Sequence, residues 1–136
     1  MRTSFILLVC VSASSAVSCG DTPTAPSTSI TSPSTETFSS MLTVKGTASR
    51  SVAAHGRGPI SVTLTSTTPA GAVLGLGVGI PRSTGGGCSL TASVNAAAGT
   101  PDQLTVIAEP GGYCVQVYDP GTLSEPVAFS LSITHP

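Results

Sequence analysis

Charge is scarce in this chain: 8% of its 136 residues are Asp, Glu, Lys or Arg, against about one quarter in ordinary globular domains. Five Lys and Arg in all, with none after Arg82, form no basic cluster able to neutralise phosphates, so nucleic acid is not expected as a partner. Trp is absent, and two Tyr and three Phe leave no aromatic platform of the kind that stacks on sugar rings. The only histidines, His55 and His135, have no acid or nucleophile near them in sequence, and no Ser sits in a nucleophile elbow. Catalytic residues are therefore not expected, and the chain reads as a non-enzyme. No segment repeats with the 3.6-residue period of an amphipathic helix, and no apolar run reaches the roughly 20 residues of a membrane span.

What is present, 15 Gly and 11 Pro among abundant Ser, Thr, Val and Ala, is the vocabulary of strands and turns. Arg2, the apolar run FILLVCV at residues 5–11 and the small residues 13–18 have the order of a signal peptide's three regions. From Cys19 onward the chain carries four basic and six acidic residues, a net charge of −2. Residues 20–37 hold Pro23, Pro26 and Pro33 and almost nothing apolar, which reads as a disordered, semi-extended spacer. The expected organisation is a leader over 1–18, a tether over 19–37 and one domain over 38–136.

Beyond Phe38, apolar and polar residues alternate repeatedly, as in half-buried strands. Ile60, Val62 and Leu64 alternate with Ser61, Thr63 and Thr65, and Val127, Phe129, Leu131 and Ile133 with Ala128, Ser130, Ser132 and Thr134. Further runs at 41–44, 51–54, 73–80, 90–94, 104–108 and 113–118 bring the expected number of strands to about eight, separated by Gly- and Pro-rich turns. The fold class is all-β: a two-sheet antiparallel sandwich of jelly-roll or immunoglobulin-like topology. In residues 74–80, LGLGVGI, every second residue is Gly, so one face of that strand lacks side chains; either something packs close to it or the strand bulges. The run has neither the Lys nor the spacing of a phosphate loop, and no cofactor is expected.

Four cysteines divide by position. Cys10 falls in the leader. The segment Ala16-Val17-Ser18-Cys19 resembles the lipobox of bacterial lipoproteins, which implies cleavage before Cys19 and acylation of its thiol. The implied partner is a lipid bilayer, and Gly20, rather than Asp, directly after the cysteine implies the outer membrane where the cell has one. Cleavage by an ordinary secretory peptidase, leaving Cys19 a free thiol, is the alternative. Cys88 and Cys114 remain as an even pair in an exported domain and read as a disulfide, with two free thiols as the alternative. Neither has a second Cys or His at ligand spacing, so no metal site is expected.

Residues 111–119 (GGYCVQVYD), followed by 127–133 (VAFSLSI), resemble the end of the bacterial pre-peptidase C-terminal domain, and residues 46–53 and 61–66 look like its opening strands. The resemblance implies a β-sandwich, and in some members calcium binding. Here the turn carboxylates Asp102, Glu109, Asp119 and Glu125 do not form that family's acidic cluster. Glu109-x-Gly111-x-Tyr113 also mimics the tyrosine corner of immunoglobulin-like sandwiches, but Cys114 follows one residue after the tyrosine. It therefore points away from Tyr113, Val115 and Val117. With the valines in the core, the disulfide should lie nearer the surface and tie a loop to a strand. The functional expectation is a membrane-anchored surface or periplasmic lipoprotein whose sandwich is an interaction module for an envelope polymer or protein. A calcium-dependent or glycan-binding module is the alternative.

Overall fold

The computed structural model describes residues 31–101 and 103–136. Eight strands follow one another: β1 (Ser34–Leu42), β2 (Thr47–Ala54), β3 (Gly58–Thr68), β4 (Val73–Pro81), β5 (Cys88–Ala97), β6 (Leu104–Ala108), β7 (Gly111–Tyr118) and β8 (Val127–His135). They form two four-stranded antiparallel sheets, ordered β1-β8-β3-β6 and β2-β7-β4-β5. The expected all-β sandwich is what the chain forms, and the strand order is that of a jelly roll. Only β4 and β5 are joined as a hairpin within one sheet; every other connection passes between the sheets.

Alternation makes the core. Val127, Phe129, Leu131 and Ile133 of β8 and Ile60, Val62 and Leu64 of β3 point inward against Leu74, Leu76 and Val78 of β4 and Val115 and Val117 of β7. Each such side chain contributes roughly 1.5–3 kcal/mol by leaving water. The interior is almost wholly aliphatic, with Phe129 its one fully buried ring, stacked edge-on to the half-buried Phe38 at 5.4 Å. A bulge after Leu64 shifts the β3 register against β8. It breaks the alternation at Thr65-Ser66 and swings Thr67 inward, where its hydroxyl is buried without a protein partner.

The first strand departs from expectation. Alternation marks residues 41–44, yet β1 begins at Ser34, inside the stretch read as spacer. The inward positions of this edge strand include Ser34, Glu36, Phe38 and Ser40, opposite His135, Ile133, Leu131 and Phe129 of β8. Glu36 is inward because Arg50 of β2 meets it across the open side of the sandwich, with Nη2–Oε2 at 2.7 Å. The same guanidinium lies 5.9 Å from the centre of the Phe38 ring. A polar seam thus replaces the apolar stripe that sequence reading looks for. β5 likewise extends past the expected 90–94 at both ends.

Candidate functional site

Strand alternation sends one residue in two outward, and on the β1-β8-β3-β6 sheet most of these are hydroxyls, with Met41 and Ala128 at one end of the face and Pro59 and Ile107 at a corner. Register places Thr35, Thr134, Ser61 and Thr105 in one row across all four strands. Thr37, Ser132 and Thr63 form a second row, and Ser39, Ser130 and Ser66 a third. Neighbours within rows bond to each other: Thr35 to Thr134 at 2.9 Å, Ser39 to Ser130 at 2.7 Å and Ser61 to Thr105 at 3.1 Å. Each such bond uses one donor and leaves acceptor lone pairs and the second hydroxyl hydrogen facing solvent. Sheet geometry sets the repeat of this array at about 4.8 Å between strands and about 6.7 Å between rows.

Among the described residues no charge interrupts the array. Lys45, Arg57, Arg82, Glu109, Asp119 and Glu125 lie in or beside turns, and Glu36 and Arg50 are in the inter-sheet seam. Arg57 pairs with Glu109 at 2.8 Å.

The opposite outer face belongs to β2-β7-β4-β5 and is built around the glycine-alternating strand. Gly75, Gly77 and Gly79 face outward beside Tyr118, Gln116 and Cys114 of β7. Of the two sequence expectations for this strand, close packing holds, and the bulge falls in its neighbour β5 instead. The Tyr118 ring lies where a Cβ on Gly75 would sit, and Leu90 occupies the space over Gly77, its Cδ1 within 2.6 Å of such a Cβ. At Gly79 the strand pairing bulges: Val78 faces Ala92 while Gly79 faces Leu90, leaving Thr91 extra on β5. A Cβ at Gly79 would strike the Ser89 carbonyl oxygen and come within 2.7 Å of Leu90 Cα.

This close approach brings β5 to β7 across β4. Cys88, the first residue of β5, and Cys114 of β7 are disulfide-bonded, with Cα atoms 5.9 Å apart, and the Cys88 N–H donates to Gln116 Oε1 at 3.1 Å. Cys114 does point away from Val115 and Val117, and the bond stays within one sheet, joining two strands rather than a strand and a loop. Both cysteines are nevertheless 2% exposed, so the bond is covered rather than superficial. Cys19 lies outside the described residues, as does Asp102.

The other turn carboxylates are occupied in different ways. Asp119 Oδ2 accepts the Lys45 N–H at 2.8 Å, and Oδ1 accepts the N–H groups of Gly121, Thr122 and Leu123 at 2.8–3.2 Å. The Lys45 bond first, and then the three from its own turn, hold the Asp119 carboxyl below the usual carboxylate range. Its acceptors thus staple the β1–β2 turn to the β7–β8 turn. Glu125 lines a cavity of about 430 Å³ with Pro69, Ala72, Val73, Leu123 and Val127, at the end of the sandwich. Among the described residues no three His, Cys, Asp or Glu gather as a metal would require.

Tyr113 has the corner role its spacing suggested: its hydroxyl accepts the Glu109 N–H at 3.0 Å. His135, without a partner nearby in sequence, has one across the sheet in Glu36, which sequence reading missed. Its Nε2 lies 3.5 Å from Glu36 Oε1 and its Nδ1 is buried without a protein partner. The available signal was its parity with Val127, Phe129, Leu131 and Ile133, which continues their inward face. No protein-family model matches the chain, and no curated protein matches its sequence.

Proposed function

We propose that this protein is a non-enzymatic lipoprotein of the bacterial envelope, freed of residues 1–18 and acylated on Cys19. Its sandwich is a contact module that presents the β1-β8-β3-β6 hydroxyl face to neutral envelope polymer. The observation that supports this most is the array itself: rows of Ser and Thr on all four strands, with every described charged side chain placed elsewhere. Charged surfaces select by sign, whereas an uncharged field of donors and acceptors suits a hydroxyl-rich, uncharged chain. The glycan-binding alternative is thereby merged with the envelope-polymer reading, while the calcium alternative draws no support from Asp119, whose oxygens already accept N–H groups.

Acylation supplies the address. Each buried methylene of a lipid chain contributes about 0.8 kcal/mol, so several chains hold a domain at a membrane without a spanning helix. Metabolic labelling with radioactive palmitate tests this part: wild type takes up label and Cys19→Ser does not. Equal labelling of the two removes the anchor. Sedimentation with isolated envelope polysaccharide tests the face. Co-sedimentation is expected for the wild-type domain and its loss for Thr37→Glu/Ser132→Glu; unaltered binding by that variant removes the face from the proposal.

A further inference from the structure

A sandwich has four edge strands, and a free edge is a template for another strand unless it is blunted by charge, proline, a bulge or shortness. Three edges here are blunted. β1 and β2 carry Glu36 and Arg50, whose ion pair laces the two edges together on one side. β6 has five residues and ends beside the Arg57–Glu109 pair.

β5 is different. Its ten residues, CSLTASVNAA, include no charge, proline or glycine, and among the described residues no strand pairs with its outer edge. The disulfide at Cys88 fixes its start, and Gln103 Nε2 donates to the Ala97 carbonyl at 2.8 Å, fixing its end. Past the Thr91 bulge, residues 92–97 pair regularly with β4, from Ala92↔Val78 to Ala97↔Val73. An edge held at both ends has little conformational entropy left to lose on pairing.

We propose that this edge is the self-association site of the protein: β5 of one copy pairs antiparallel with β5 of a second, joining their β2-β7-β4-β5 sheets into one of eight strands. The charge pattern suits a second copy as the occupant. In a two-fold pair each strand faces its own copy, so a charged strand repels itself in many registers, whereas β5 meets no like charge in any. The chain's own spacer is a poor alternative, since Pro23, Pro26 and Pro33 cannot donate to a ladder. Six regular residues give a contact line of about 20 Å, which suits a weak, concentration-dependent pair rather than an obligate one.

Geometry adds a consequence. Both inner faces must stay in their cores, so the two-fold axis stands perpendicular to the sheet and the two hydroxyl faces look the same way. Ser93 and Asn95, exposed on the outer face of β5, then come close to their copies.

Sedimentation velocity on mature chain carrying Cys19→Ser, across a concentration series, tests the pairing independently of lipidation and of any ligand. Wild-type β5 is expected to shift from monomer to dimer as concentration rises. Ser93→Lys/Asn95→Lys, which places cations on both copies of the strand, should weaken the dimer about tenfold or more. Ser49→Lys/Ser51→Lys, on the opposite edge strand β2, should leave it unchanged. Amide exchange gives a second readout without substitution: residues 92–97 of the wild type should exchange more slowly at high concentration. A wild type that stays monomeric throughout, a dimer indifferent to the β5 lysines, or exchange at 92–97 independent of concentration overturns the proposal.

Discussion

Gly79→Ala tests the link between the glycine strand and the disulfide. The added methyl meets the Ser89 carbonyl oxygen and stands 2.7 Å from Leu90 Cα, both backbone atoms that no rotamer change can move aside. The start of β5 must step back, but the bond from Cys88 to Cys114 holds it in place. Forced overpacking of this kind costs about 1–3 kcal/mol. The disulfide itself, closing a loop with a sequence separation of 26, stabilises the fold by about 3.5 kcal/mol through restriction of the unfolded chain. In a Cys88→Ser/Cys114→Ser background β5 is free to retreat, so the alanine penalty should fall close to zero. It could even reverse, since replacing Gly at a φ that alanine tolerates gains about 0.4–1 kcal/mol from the unfolded state. Urea unfolding of the four proteins in this double-mutant cycle should give a coupling of about 1–3 kcal/mol. An alanine cost that is equal with and without the disulfide refutes the reasoning, as does no cost in the oxidised protein.

Two further outcomes follow from the turns. Because N–H donors, the Lys45 amide foremost, depress the folded-state pKa of Asp119, its stabilising effect is complete above the unfolded-state pKa and disappears as pH falls through the folded one. Asp119→Asn should therefore flatten the acid limb of a stability profile and leave the neutral-to-alkaline part with the same slope; an unaltered acid limb contradicts the staple. Tyr113→Phe removes the acceptor of the Glu109 N–H and should cost about 0.5–1.5 kcal/mol in thermal unfolding, with faster amide exchange at Glu109.

Much of the fold was legible because period-two alternation is a local property. Leu104–Ala108 was found to the residue as a short β-branched run between turns, and β8 nearly so because its inward face is apolar and its outward face almost wholly hydroxyl. Strand β1 was not, because the polarity of Glu36 makes sense only beside Arg50, 14 residues away and in the other sheet. Pairing order was also out of reach: jelly-roll and immunoglobulin-like sandwiches share the same local pattern, and only long-range registers such as Ser34↔His135 separate them. The cysteine pair emerged by elimination, but the glycine that lets it close did not, since nothing in LGLGVGI names Ser89 and Leu90 as the atoms in the way. Likewise each Ser and Thr of the hydroxyl face reads singly as a solvated position, and becomes a row only when four strands align.

Strand β8 lies between β1 and β3 although it is the last of the eight in chain order. Until residues 127–135 arrive, β1 has no neighbour and β3 has only the short β6, so half of the sandwich cannot assemble while the chain is still emerging. Placing the central strand of one sheet after the other seven strands builds that delay into the topology, and a chain that stops before Val127 lacks the strand on which the sheet is built.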